Sequence, residues 1–245
     1  MAELHLAGQV LVATDTTWEV RSSNTSRLGD WGKKGFGGEA VDANLDVPGW
    51  DTPAVARSSA GGSWEPATVY SIARNISISA DAMEPTVRHS SVAAASVVQL
   101  PGKQLITMEE LYTGWFEVIS MEGAPNSTVR FQISTTHGLD EEFSMVDSFT
   151  FGPSGKGSFR MRFAYHEIRY ITVTGLASKL DAAQVLGWRL SVDLAREGEF
   201  ECSSSLMNEI YTTTVRNYLG LTTGGQTVDC PHRERRGYGG DGVGR

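Results

Sequence analysis

Residues 229–241 hold the side chains of this chain that could do chemistry: Asp229-Cys230-Pro231-His232-Arg233-Glu234-Arg235-Arg236-Gly237-Tyr238-Gly239-Gly240-Asp241. Three carboxylates, Asp229, Glu234 and Asp241, share the run with three arginines, Arg233, Arg235 and Arg236. Carboxyl groups can donate or accept protons, and arginines can orient them through paired hydrogen bonds. Glycine, proline and charge all oppose regular buried structure, so the run reads as a loop. Two uses of such a loop stand open. It is a solvated charged turn, or it is a polar site built to hold something polar.

The rest of the chain bounds what such a site could serve. At 245 residues there is room for one large or two small domains with hydrophobic cores. The formal net charge of −8 argues against nucleic acid or an anionic membrane as partner. No apolar run approaches the ~20 residues of a membrane span. The opening Met1-Ala2-Glu3-Leu4-His5-Leu6 lacks the basic-then-apolar layout of a signal peptide, and the compartment stays open. Cys202 and Cys230 are the only cysteines, too few for a disulfide framework or a four-thiolate metal site, so free thiols are expected. His137 beside Asp140, Glu141 and Glu142 has no second histidine at ligand spacing and reads as an exposed acidic loop. No metal site and no cofactor are expected.

Glycine and β-branched residues favour β structure. Gln9–Val12 and Thr17–Val20 flank Thr14-Asp15-Thr16 as a plausible hairpin. Trp18, Trp31, Trp50 and Trp64 are spread through the first part; packing under loops is favoured for them over a sugar-stacking platform. Further on, Ser96–Leu100, the turn Pro101-Gly102-Lys103 and Gln104–Thr107 read as a strand pair. Gly114–Ser120, Thr128–Ser134, Ser148–Gly152, Ser158–Ala164, Glu167–Thr174 and Gln184–Asp193 follow as strands. Strands at this spacing imply an antiparallel sandwich. His166 and Arg169 read as a pair that satisfies hydrogen bonds between layers. From Gly198 the character changes. A serine-rich start, Ser203-Ser204-Ser205, leads into Leu206–Leu219, where Leu206, Ile210, Tyr211, Val215, Tyr218 and Leu219 recur at threes and fours as one helical stripe.

The loop resembles the signature of the bacterial-type α-L-rhamnosidases, glycoside hydrolase family 78, which commonly read Asp-Cys-Pro-x-Arg-(Asp)-Glu-Arg-x-Gly-Trp-x-Gly-Asp. Asp229, Cys230, Pro231, Arg233, Glu234, Arg235, Gly237, Gly240 and Asp241 fit. Tyr238 stands where the family usually has Trp, and the run is one residue shorter before Glu234. Other stretches are similar as well: Gly37-Gly38-Glu39, Pro48-Gly49-Trp50-Asp51, Met83-Glu84-Pro85, Tyr165-His166-Glu167-Ile168-Arg169-Tyr170, and Phe200-Glu201-Cys202-Ser203. The resemblance implies a mostly β chain of two antiparallel β-sandwich domains, a partial one over 1–70 and a second over 71–197. Residues 198–245 then hold the first helix and signature loop of an incomplete (α/α)₆ six-hairpin barrel.

By resemblance the activity is inverting hydrolysis that releases terminal α-L-rhamnose from glycosides or polysaccharides. Such chemistry needs a proton donor for the leaving oxygen and a second carboxylate that activates water. Glu234 is then the general acid, Asp229 and Asp241 hold rhamnose hydroxyls, and Tyr238 flanks the apolar face of the sugar. Arg233 orients the carboxylates or fixes the loop by a salt bridge. Burial would raise the pKa of Glu234 as the role requires, whereas Arg233 and Arg235 would oppose it. The family's base is a glutamate from later in the barrel, so these residues are expected to be a truncated and inactive form. The alternative is a non-catalytic β-sandwich module that binds carbohydrate or scaffolds another domain.

Overall fold

The computed structural model describes residues 3–29, 37–52, 64–70, 83–137, 145–224, 226–233 and 235–237. Trp31, Asp140, Glu141, Glu142, Glu234, Tyr238, Gly239, Gly240 and Asp241 lie outside the described residues. The chain divides into two compact units, Met1–Asn24 with Leu45–Asp81 and Thr25–Asn44 with Ala82–Arg245. The strands begin with β1 (Glu3–Leu6), β2 (Gln9–Ala13), β3 (Glu19–Val20), β4 (Thr25–Leu28), β5 (Gly38–Asp42) and β6 (Glu65–Pro66). They continue with β7 (Thr86–Leu100), β8 (Lys103–Glu122), β9 (Thr128–Ser134), β10 (Val146–Thr150) and β11 (Lys156–Arg160). Last come β12 (His166–Thr174), β13 (Val185–Val192), the helix α1 (Ser205–Leu221), β14 (Thr222–Thr223) and β15 (Gln226–Thr227). The described residues are thus mostly β with one α-helix, and no helix among them is long and apolar enough to cross a membrane.

In the first unit β2 pairs with β1, and β3 pairs with β6. This corrects the expected hairpin of Gln9–Val12 with Thr17–Val20. Ala7 and Gly8 both take positive φ, 50° and 78°, the backbone of the tight turns that join two-residue hairpins, so the chain folds back there instead. At the expected turn, the Asp15 carboxylate accepts from the Thr17 amide at 2.8 Å and its hydroxyl at 2.6 Å, a local bend that serves no strand pair. Those two bonds hold the Asp15 carboxyl below the usual range. Trp18 and Trp50 are 44% and 66% exposed, so neither is packed away beneath a loop as expected. Trp64 is half-buried, with the Arg21 guanidinium 5.9 Å from its ring.

The second unit is built on nine strands in one continuous sheet, ordered β13-β7-β8-β12-β9-β10-β5-β4, with β11 paired to β8. The ladders are antiparallel except for β5 with β10, which run parallel. Thr25–Leu28 and Gly38–Asp42 join this sheet from the stretch read as the first domain. The sheet turns on its two longest strands. β7 meets β13 through Thr86–Ala93 and β8 through Ala94–Leu100. β8 meets β12 up to Gly114 and then β13 and β11, so its two halves have different neighbours. Gly114–Ser120, expected as a separate strand, is therefore the middle of β8.

The strands bury a common apolar core. Phe131 of β9 stacks on Phe159 of β11 at 5.0 Å between ring centroids, and Phe116 of β8 sits 5.3 Å from each. All three rings are essentially inaccessible to water. Alternation puts Val129, Phe131 and Ile133 inward on β9, as a half-buried strand requires. In β12 the burial phase switches where the register shifts between Ile168 and Tyr170, a bulge that buries both His166 and Ile171. Replacing Phe131 with Ala removes the ring that meets both Phe116 and Phe159. We expect Phe131→Ala to lower unfolding free energy by about 3–5 kcal/mol, measured as a shifted urea midpoint at constant slope.

Candidate functional site

The loop that carries the acidic and basic residues is delivered by α1. Ser204 stands at the N-cap but makes no capping bond with its hydroxyl. Asn208 pins the helix start instead: its Oδ1 accepts from the Cys202 amide at 2.9 Å and its Nδ2 donates to the Cys202 carbonyl at 2.8 Å. No side chain of α1 is fully buried. Tyr211, Val215 and Leu219, four apart, are half-buried, while Leu206, Ile210 and Tyr218 are exposed. The single expected stripe is thus split into a covered row and an open one. Arg216 on α1 reaches Glu110 of β8 at 3.0 Å, and Glu110 also meets Arg189 of β13.

After the helix the chain reverses through β14 and β15, buried at Thr222, Thr223 and Thr227. The Thr223 hydroxyl bonds the Tyr165 hydroxyl at 3.0 Å, and the Gly224 amide donates to Thr86 Oγ1 at 3.0 Å. Both contacts set the reversal on the sheet. The loop then closes on itself. The Asp229 amide donates to the Arg236 carbonyl at 2.9 Å, and the Arg236 amide returns to Asp229 Oδ1 at 2.8 Å. The Cys230 thiol donates to Asp229 Oδ2 at 3.2 Å. Asp229 therefore spends both carboxylate oxygens within its own loop.

Between these ends, Arg235 turns inward. Its φ is 50°, a left-handed conformation that costs a non-glycine residue on the order of 1 kcal/mol. Three partners hold it there. Arg235 Nε donates to the Pro231 carbonyl at 2.7 Å, Nη2 donates to His166 Nδ1 at 3.0 Å, and the guanidinium lies 4.5 Å from the Tyr165 ring. Burial pulls its pKa down to about 10, against the opposing pull of Tyr165, Asp147 and Cys230. It stays a cation at neutral pH.

Behind Arg235 runs a chain of buried polar groups. His166 has no solvent exposure, and its Nε2 lies 3.1 Å from Asp147 Oδ2, itself fully enclosed. Asp147 Oδ1 accepts the Glu39 amide at 2.7 Å. The Glu39 carboxylate in turn accepts the amides of Arg162 at 2.9 Å and of Phe163 and Ala164 at 2.5 Å. This approach needs Gly38, where a Cβ would collide with the Asp147 carboxylate and the Val146 carbonyl. The tautomer of His166 follows from its neighbours. A guanidinium can only donate, so Nδ1 is the acceptor and the ring proton sits on Nε2, pointing at Asp147.

The next residue of β12 makes a second grip, with Glu167 Oε2 2.7 Å from His232 Nδ1. A cavity of about 560 Å³ opens between α1, β13 and this loop, lined by Thr113, Glu167, Arg189, Ser191, Asp229 and His232 among others. No cluster of three or more His, Cys, Asp or Glu able to hold a metal occurs among the described residues. Cys202 is exposed and Cys230 half-buried.

Residues 195–243 match the six-hairpin glycosidase domain of bacterial α-L-rhamnosidases. A curated α-L-rhamnosidase of Formosa agariphila is 25% identical over 84% of this chain and 22% of its own length. The fold matches that of the α-L-rhamnosidase of Dictyoglumus thermophilum, with a TM-score of 0.80, 21% identity, and 96% of this chain against 26% of that one. It also matches the Streptomyces avermitilis α-L-rhamnosidase solved in complex with L-rhamnose, with a TM-score of 0.78, 21% identity, and 96% of this chain against 23% of that one.

The chain is similar to the bacterial α-L-rhamnosidases, in the sequence of residues 195–243 and in its fold. It spans about a quarter of the length of the curated relatives that it matches most fully, 22% of one and 25% of another. Of the rhamnosidase loop residues expected to carry function, Asp229 and Arg233 are described, the first closing the loop and the second exposed. Glu234, Asp241 and Tyr238 lie outside the described residues. His166 and Arg169 do not pair with each other; Arg169 lies over Tyr170, and His166 bridges Asp147 and Arg235. Sequence reading passed over Glu39, Asp147, Tyr165 and Glu167 as site residues. Spacing could not reveal them, because they come from separate segments.

The doubled bond between Asp229 and Arg236 generates a prediction. Asp229→Asn keeps an oxygen for the Arg236 amide and leaves exchange of that amide within about threefold of the parent. Asp229→Ala removes it and speeds exchange about tenfold, at a stability loss of about 1–2 kcal/mol. Residue-resolved hydrogen exchange distinguishes the two.

Proposed function

We propose that the chain carries the acid-bearing opening of an inverting α-L-rhamnosidase, with Glu234 as general acid toward the glycosidic oxygen. The observation that carries this reading is the match over residues 195–243, which takes in the entire loop from Asp229 to Asp241. Asp241, Tyr238 and the Asp229 carboxylate face the sugar in this reading, and Arg233 orients the acids. Rhamnose-containing glycosides or polysaccharides are the substrate class. In domain terms, residues 1–70, apart from the two strands that join the second unit's sheet, are part of one β-sandwich, 71–197 a second, and 198–245 the entry into an (α/α)₆ barrel.

Inverting hydrolysis needs a second carboxylate to activate water, held apart from the acid. A barrel of roughly twelve helices of ~10 residues or more would supply it. A polypeptide of just these 245 residues holds one helix among those described, and its open row at Leu206, Ile210 and Tyr218 is the face on which further helices would pack. Taken alone, this polypeptide binds but does not hydrolyse.

A second reading, a carbohydrate-binding module without catalysis, draws on the exposed rings of Trp18 and Trp50. The purified 245-residue polypeptide separates them. It should release no nitrophenol from 4-nitrophenyl α-L-rhamnoside, while L-rhamnose binds and Asp241→Ala weakens that binding about tenfold or more. Weakening by Trp50→Ala alone, with Asp241→Ala unchanged, transfers the sugar site to the module. Turnover that disappears in Glu234→Gln means that these residues hydrolyse unaided, and the need for a barrel falls with it.

A further inference from the structure

The buried run that ends on Arg235 has more polarity than the fold requires. Core positions such as Asp147 and His166 are cheapest when apolar, and each buried polar group there demands a partner. Every partner in this run is supplied, and donation converges on the Asp147 carboxylate from both ends, from Arg235 through His166 and from the Glu39 amide. On the understanding that residues 229–241 form the acid-bearing loop, we propose that Glu39, Asp147 and His166 are positioning residues. They work through Arg235 to fix that loop on the sheet, with His166 as a neutral link that accepts on one side and donates on the other.

The geometry supports this in three independent ways. First, the run is polarised without ambiguity: the Arg235 guanidinium donates to His166 Nδ1, Nε2 donates to Asp147, and Asp147 accepts the Glu39 amide. A histidine protonated on both nitrogens could not accept from Arg235. Second, Arg235 keeps a left-handed backbone, φ 50°, that nothing in its own type favours. Strain of that kind persists only where surroundings over-determine it, and here these are the Pro231 carbonyl, the His166 ring and the Tyr165 face. Third, consecutive residues of β12 meet the loop at two points: His166 accepts from Arg235, and the Glu167 carboxylate lies 2.7 Å from His232 Nδ1. A loop rich in glycine and proline cannot supply such rigidity from within. A proton donor must be held to roughly 0.5 Å to work, so the rigidity is imported from the sheet.

The test uses the full 245-residue chain and three substitutions: His166→Gln, His166→Leu and Arg235→Met. A glutamine amide offers one acceptor and one donor about as far apart as the imidazole nitrogens; leucine offers neither. Hydrogen exchange is read on the amides of Arg235 and Arg236 and, as a control for folding, on those of β9. Expected for Arg235→Met and His166→Leu is exchange about tenfold or more faster in the loop, with β9 unchanged, and restoration of most protection in His166→Gln. Arg235→Met leaves the His166–Asp147 pair inside the sheet, so it serves if His166→Leu does not fold. Nitrogen-15 spectra of the imidazole should show the Nε2-protonated tautomer in the parent. Loop protection untouched by Arg235→Met, or a ring protonated on Nδ1, overturns the proposal. L-Rhamnose titration separates it from the functional reading. If the parent binds no rhamnose while the exchange pattern holds, the rhamnosidase reading fails and the positioning role stands. If parent and Arg235→Met bind rhamnose equally, the positioning role fails.

Discussion

A single imidazole standing between an acid and a guanidinium is the contact on which the arrangement of this chain depends. Asp147 and Arg235 carry opposite charge, and neither touches the other; His166 fills the gap with one acceptor and one donor. Burying either charge alone would be strongly unfavourable, because the interior offers little solvation. Held at the two ends of a neutral ring, each charge has a hydrogen bond and a counter-charge within reach. The ring also makes the link directional, which a direct ion pair is not. Reversing the imidazole would place a donor against a donor.

The sheet is organised so that this contact can exist. Glu39 and Asp147 meet because β5 enters alongside β10 in the parallel direction, and because Gly38 leaves room for the approach. With both Asp147 oxygens occupied, by the Glu39 amide and the His166 ring, the carboxylate cannot swing. The Glu39 side chain meanwhile ties down the backbone of Arg162, Phe163 and Ala164, the bend that feeds β12. That bend fixes where β12 begins, and β12 begins with His166. One buried carboxylate thus sets the position of the residue that the other carboxylate orients. The bulge between Ile168 and Tyr170 lets the same strand bury His166 at one end and Ile171 at the other.

Strand positions with strong alternation were legible in the sequence, as β9 illustrates: Thr128–Ser134 is read and found with the same ends. Helix α1 was legible from its threes and fours, although it extends from Ser205 to Leu221. What escaped was whatever depends on partners distant in sequence. Periodicity could not show that Gly114–Ser120 continues a strand begun at Lys103, because a strand that exchanges one neighbour for another keeps its alternation. Nor could it foresee the turn at Ala7-Gly8, since a positive φ at alanine has no signature. The family resemblance drew notice to Glu39 and His166 as parts of recurring phrases. It gave no hint that they stand two contacts apart inside one run. For Asp229 the resemblance implies a hold on sugar hydroxyls; periodicity gave no sign that its oxygens also bond the Arg236 amide and the Cys230 thiol.

The inward course of Arg235 bears on a conflict visible from composition alone. Three arginines beside one acid would hold that acid ionised, which is the wrong state for a proton donor near neutral pH. Their influence is not equal. Arg233 and Arg236 are exposed, where water and salt weaken a charge over about 10 Å. Arg235 is the one whose field would act at low dielectric, and its guanidinium is directed into the sheet, toward a ring backed by the Asp147 carboxylate. Seen from the loop, that cation is substantially offset by the anion behind it. Burial outweighs the neighbouring anions and lowers its pKa to about 10, at which it is still a cation near neutral pH. The loop thus keeps one arginine as an anchor, with its charge turned into the sheet.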